Sequence, residues 1–217
     1  MSVVTISRQF GAGGHTLAES LSNRLDYKLV DRLLVEKIAE EAKVSVQWVE
    51  AVEREAGGLL MRLVHSMVSS SFIDRLLGED RQDFGEERYI KFLSHVVTNL
   101  WQEGGKVVIV GRGAQFILPN SEDIVKVLLV AELPDRIKFL EEHYKISTTK
   151  ATELVRREDQ RRSKTLKLFY DGNPDDPSFY TMVFNTSYVN IQEVEDLVVH
   201  LMEKIYENGD VAINSKK

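Results

Sequence analysis

The chain has 217 residues, 43% of them hydrophobic, with a formal net charge of −6 and no cysteine. That is enough apolar material for one α/β domain with a full core. The acidic balance argues against general nucleic-acid binding, which needs a basic footprint, and the lack of cysteine excludes disulfides and thiolate metal sites. No apolar run approaches the roughly 18 residues of a membrane span, and no charged-then-apolar leader pattern precedes the first strand. The expectation is a cytoplasmic protein with neither membrane nor nucleic acid as partner.

Residues 3–7 (Val-Val-Thr-Ile-Ser) read as a central parallel strand, apolar on both faces. Arg8-Gln9-Phe10-Gly11-Ala12-Gly13-Gly14-His15-Thr16 follows as a glycine-rich turn, and Leu17, Ala18, Leu21 and Leu25 then recur at helical spacing. A strand, a glycine turn and a helix N-terminus in that order make an anion cradle, because backbone N–H groups and the helix dipole point the same way. The usual phosphate loop reads G-x-x-x-x-G-K-[ST]. Here Gly14 stands at the lysine and His15 at the Ser/Thr. Arg8 is placed to supply part of the missing charge. His15 and Thr16 are placed to reach phosphate oxygens or magnesium-bound water, although His15 fits a solvent-exposed helix position equally well.

Residues 27–30 form a second short strand. Asp31-Arg32 falls at its C-terminal end, the edge where open parallel sheets bind ligands. That pair suits a substrate hydroxyl or phosphate; Asp31 also suits a plain N-cap for the helix carrying Leu34, Ile38 and Ala42. Residues 44–104 hold no proline and no convincing strand. Trp48, Val49 and Val52, then the run 59–72, then Phe92, Leu93, Val96, Val97 and Leu100 follow helical rhythm, broken at Gly57-Gly58 and between Gly78 and Gly85. This is a helical insertion of about three helices. The run 59–72 is apolar around much of its surface, which fits a buried helix or a dimerisation or substrate-closing surface.

Residues 106–110 return to strand pattern and end in Gly111-Arg112-Gly113. Two glycines flanking one arginine at a strand's end suggest a close backbone approach with the guanidinium aimed at an anion. Residues 123–130 form another strand, and residues 133–144 a helix with Pro134 at its first position. Ser147 or Thr148 caps the next helix, which carries Arg156, Arg157, Glu158, Asp159, Arg161, Arg162, Lys164 and Lys167. Such a run is ordinarily a solvated face. After a phosphate loop it also suits a basic lid at about 148–172, because arginines stabilise the charge spread over a transferring phosphoryl group. Residues 180–185 read as the last strand. Asn190 and Glu193 form a capping box for a final helix ending at Asn208-Gly209.

The ordered set SRQFGAGGHTLAESL, LVDRLLVEKIA, VVIVGRGAQFIL, ELPDRI, REDQRR and DDPSFYTMVFNTSYVNIQEV resembles the cytidylate-kinase-like branch of the P-loop nucleoside monophosphate kinases. The resemblance covers nearly the whole chain, more loosely over 45–102. It implies a three-layer P-loop NTPase fold, with a five-stranded parallel sheet, helices on both faces, a substrate-closing helical insertion and an arginine lid. It also implies ATP with Mg²⁺ as donor and a nucleoside monophosphate as acceptor. By position, Gly11, Ala12, Gly13, Gly14, His15 and Thr16 would bind donor phosphates, with Thr16 toward the magnesium. Asp31, Arg32 and Arg112 would face the acceptor; Arg157, Asp159, Arg161 and Arg162 would form the lid; Asn185, Thr186 and Ser187 would lie on the adenine side. Two departures stand out: Gly14 replaces the loop lysine, and Gly113 replaces an aspartate that helps read cytosine. The expected function is ATP-dependent phosphoryl transfer to a small acceptor, with Arg8, Arg112, Arg157, Arg161 and Arg162 neutralising charge. The alternative is a nucleotide-binding regulatory or interaction protein with a degenerate loop and no turnover; a helical scaffold or dimer module with an idle loop ranks third.

Overall fold

The computed structural model describes residues 2–31, 86–102 and 105–214. The chain alternates strand and helix. In order it gives β1 (Val3–Arg8), α1 (Gly14–Leu25), β2 (Lys28–Val30), α2 (Glu86–Gln102), β3 (Val107–Val110), α3 (Ala114–Ile117), β4 (Ile124–Val130), α4 (Leu133–Tyr144), α5 (Thr148–Lys167), a 3₁₀ turn (Pro177–Phe179), β5 (Met182–Asn185) and α6 (Ile191–Asn214). The strands form one sheet in the order β2-β3-β1-β4-β5, every neighbouring pair parallel. All strand C-termini therefore open on one edge. β1 lies in the middle, with Thr5 beside Ile109 and Lys126.

A central parallel strand must bury both faces, and every residue of β1 but the last is accordingly buried. Val4 and Ile6, with Val108, Val110, Val125, Val127 and Leu129, pack against Leu17, Ala18 and Leu21 of α1 and Val194, Val198 and Met202 of α6. The alternate residues Val3, Val107, Ile109 and Leu128 are buried on the opposite face. Leu93, Val96, Val97 and Leu100 of α2 are buried too. Trp101 Nε1 ties the end of α2 to the start of β4 by donating to Asp123 Oδ2 at 2.9 Å. A smaller cluster of Leu140, Ala151 and Val155 joins α4 to α5.

Local signals mark most boundaries. Ser147 caps α5 by accepting from the Lys150 N–H. The α6 capping box is reciprocal: the Asn190 N–H donates to Glu193 Oε2 at 3.1 Å and the Glu193 N–H donates to Asn190 Oδ1 at 2.9 Å. Three details differ from expectation. Pro134 takes the second helical position, after Leu133. The last strand begins at Met182, because the preceding Tyr180 turns its hydroxyl onto the Pro174 carbonyl at 2.6 Å. α6 continues through Gly209 to Asn214, since one glycine costs a helix only about 1 kcal/mol. Most of the expected helical insertion, including the run 59–72 and any dimer surface on it, lies outside the described residues, as does Arg32. Among the described residues no helix is long and apolar enough to cross a membrane.

Candidate functional site

The loop after β1 is shaped by two left-handed glycines, Gly11 at φ 87° and Gly13 at φ 80°, a region L-residues avoid. Gly13 is the N-cap of α1 and has no side chain to cap with. The Ala12 N–H returns to the Gln9 carbonyl at 3.2 Å, and the Leu17 N–H to the Gly13 carbonyl at 3.0 Å. Among the described residues nothing accepts from the N–H groups of Gly11, Gly13, Gly14, His15 or Thr16. These amides line a turn at the positive end of a helix dipole, which is the arrangement that holds a phosphate.

The loop is tethered from several sides. The Phe10 N–H donates to Asp159 Oδ1 at 3.1 Å. Arg136 Nη1 donates to Asp159 Oδ2 at 2.7 Å and to the Phe10 carbonyl at 3.3 Å. Gln9 Oε1 accepts from the Ala131 N–H at 3.1 Å, and the Thr186 hydroxyl lies 3.3 Å from both the Ala12 and Val130 carbonyls. Asp159 thus fastens α5 to the loop backbone, and the charge run is in this part a structural clamp.

The turn after β3 is more unusual. Gly111, Arg112 and Gly113 are all left-handed, at φ 73°, 60° and 69°. Arg112 pays a steric cost of about 1–2 kcal/mol for that conformation, the kind of local strain that clusters at functional sites. The direction a Cβ would take from Gly113 is filled by the Phe169 ring, 2.6 Å away. Phe169 therefore holds the space an aspartate would need there.

Between these two turns lies an open cleft of about 130 Å³, roofed by α5 and lined by Arg8, Phe10, Arg112, Glu158, Arg161 and Arg162 among others. Arg162 Nη2 donates to Ser7 Oγ at 3.0 Å and is ion-paired with Asp175. Arg8, at the end of β1, is largely enclosed. Burial, then the nearby guanidinium groups of Arg162 and Arg112, bring its pKa down to about 10, with Asp31 pulling the other way. It is still charged at neutral pH, and no described residue hydrogen-bonds or ion-pairs with its guanidinium. Four arginines around one cleft, with Glu158 the one carboxylate among its lining residues, are suited to an anion of more than one charge.

The structure brings together Arg8, Asp31, Arg112, Arg161 and Arg162 around or beside this cleft. Arg157 lies outside it, exposed and paired with Glu158 at 3.1 Å. His15 and Thr16 are exposed on the first turn of α1, with His15 turned toward Glu19 at 3.2 Å. Thr186 stands against the loop; Ser187 Oγ accepts from the Glu132 N–H at 2.8 Å, and Asn185 Oδ1 from the Ser187 N–H at 3.1 Å. Sequence reasoning passed over Arg136, Phe169 and Asp175. Arg136 lies within ELPDRI, but nothing in that string marks it as a partner for Asp159.

A parallel sheet in this strand order, a phosphate loop with free amides between β1 and α1, and arginines at the same edge define a P-loop protein of the kinase type. More particularly, the chain belongs to the cytidylate kinase-like family, whose family model matches residues 3–188. No curated protein matches the chain. Among solved structures, an uncharacterized protein from Eubacterium ventriosum ATCC 27560 is similar in fold, with a TM-score of 0.66 at 16% identity, covering 94% of this chain and 99% of that one. Shikimate kinases from Acinetobacter baumannii (TM-score 0.47, 10% identity, 94% of each chain) and Bacteroides thetaiotaomicron (0.44, 16% identity, 93% of this chain and 98% of that one) are more distant. The fold likeness rests on the first.

Proposed function

We propose that the protein transfers the γ-phosphoryl group of ATP to a small cytoplasmic acceptor, a nucleoside monophosphate being the first candidate. The observation that carries this reading is that one sheet edge holds both loop amides with no acceptor among the described residues and a cleft lined by Arg8, Arg112, Arg161 and Arg162. The amides of Gly11 to Thr16 hold the donor phosphates, and Arg112 and Asp31 orient the acceptor beside them. Arg161 and Arg162 reach down from α5 over the charge that develops in transfer. Such chemistry needs positioning and charge neutralisation more than covalent participation. Loop amides with no acceptor among the described residues and a cluster of guanidinium groups fit a polyphosphate, and the Thr16 hydroxyl is the group to hold its Mg²⁺, which supplies further neutralisation when bound. Because Phe169 fills the space beside Gly113, cytosine is not read there by a carboxylate, which leaves the base of the acceptor open.

Gly14 favours a second reading, a nucleotide-binding regulatory protein that keeps the cradle without turnover. Purified protein with ATP, Mg²⁺ and a panel of nucleoside monophosphates separates the two. The kinase forms ADP only when an acceptor is present. ATP binding without acceptor-dependent ADP from any member of the panel overturns the kinase reading for nucleoside monophosphates.

A further inference from the structure

Aligned on Gly13, the phosphate-loop pattern G-x-x-x-x-G-K-[ST] puts its first glycine at position 8 and its lysine at position 14. This chain has Arg8 and Gly14, so the glycine and the cation have changed places. The geometry shows why the exchange is reciprocal. A Cβ built on Gly14 would lie 2.9 Å from the Cβ of Arg8, 2.5 Å from its Cγ and 3.0 Å from its Cδ, and these are the three nearest atoms. Contacts that close to the base of a side chain are not relieved by rotating its far end. Positions 8 and 14 therefore cannot both carry a side chain unless the backbone shifts. At the other end of Arg8, a Cβ on Gly111 would collide with Nη1. Two glycines 97 positions apart thus clear one path, along which the Arg8 stem crosses the start of α1 and its guanidinium reaches the turn of Arg112.

We infer that Arg8 is the phosphate-binding cation of this loop, taking the place of the absent lysine, and that Gly14 is glycine in order to admit it. The inference rests on the phosphate-binding reading of the loop given above. An arginine there acts differently from a lysine. It is planar, offers a fork of donors to two phosphate oxygens, and keeps its charge among like charges where a lysine would tend to lose it. Its enclosed guanidinium lies beside Arg112 and Arg162, with no bonded counter-charge among the described residues and Asp31 only partly offsetting the repulsion, and is unfavourable until an anion arrives.

The test uses the full chain, inorganic tripolyphosphate as ligand, and three measurements: calorimetric affinity, thermal midpoint and ADP formation. Arg8→Met keeps most of the stem and removes the charge. It should weaken tripolyphosphate binding about 10- to 100-fold without lowering the midpoint. Gly14→Ala should lower the midpoint by about 3–8 °C in the wild-type background. In an Arg8→Gly background the same change should raise it, because Ala is the better helix former at a position with ordinary φ. The double variant Arg8→Gly/Gly14→Lys should recover binding lost in Arg8→Gly. Equal effects of Gly14→Ala in both backgrounds, or wild-type affinity in Arg8→Met, overturn the inference. The two readings fail separately. A wild type that forms no ADP, while Arg8→Met loses tripolyphosphate, keeps the cation and removes the kinase. A wild type that forms ADP, with Arg8→Met binding and turning over as well, does the reverse.

Discussion

The turn after β1 and the turn after β3 leave neighbouring strands at one sheet edge, and both are rich in left-handed glycine. They present different things. The first offers backbone N–H groups and keeps its own side chains aside; the second bends the backbone around one residue and offers a guanidinium. Their anchoring differs as well. The first is clamped by Asp159 and Arg136 from the outside of the sheet. The second runs into α3, whose end is held by Lys126, with Nζ donating to the carbonyls of Gln115 and Leu118 and to Asn120 Oδ1 at 2.8–2.9 Å. A glycine accordingly means one thing at Gly13, where the backbone itself needs φ > 0, and another at Gly14, where a neighbour's side chain needs the room.

The largest effect that would sharpen this contrast is on turnover. Arg112→Ala should lower kcat for the acceptor-dependent reaction about 10²- to 10³-fold, with the midpoint little changed; a variant with full activity removes the second turn from the site. Next comes the clamp. Asp159→Ala strands the buried Arg136 and frees the Phe10 amide. It should cost about 2–3 kcal/mol in denaturant unfolding, somewhat below the range for a fully buried pair because Asp159 is one-third exposed. Lys126→Met leaves two buried carbonyls short of a donor and should cost about 1–2 kcal/mol, with the loss of acceptor affinity exceeding the loss of tripolyphosphate affinity if the two turns serve different ligands.

Strain at the second turn gives a smaller, cleaner effect. Arg112→Gly and Arg112→Ala lose the same charge, but only glycine relieves φ 60°. The glycine variant should unfold about 1 kcal/mol later than the alanine variant; equal stability would mean the conformation is not strained. The smallest effect is with pH. Arg8 sits lower than an ordinary arginine, at about 10, and only its protonated form binds phosphate well. Tripolyphosphate affinity, corrected for the ligand's own ionisation, should hold near neutral pH and fall as pH rises through about 10. Arg8→Met should lack that fall. For folding the sign is opposite: a cation whose pKa is depressed by the fold disfavours the folded state at neutral pH, and the penalty is relieved as pH rises above about 10.

Local signals explain what was legible in the sequence. The strands announce themselves by continuous apolar runs, α6 by Asn190 and Glu193, and the loop by Gly11 and Gly13 next to a strand. What escaped depends on long-range meetings. Asp159 and Arg157 look alike in a charge run, yet one clamps Phe10 across 149 positions and the other lies exposed against Glu158. Arg162 could be placed on a helix face, but its partners Ser7 and Asp175 come from other elements. Nothing local told that Gly14 is emptied by Arg8, or that Phe169 fills the space beside Gly113.

The tethers on residues 9–12 have a thermodynamic consequence. The conformational entropy of ordering the loop, about 1–2 kcal/mol per residue, is lost when the protein folds, so little of it is charged against the arrival of a phosphate. Tripolyphosphate binding should then show a small heat-capacity change from this loop, since little apolar surface is buried there and the loop is already ordered. Its temperature dependence would be that of an ion entering a finished site.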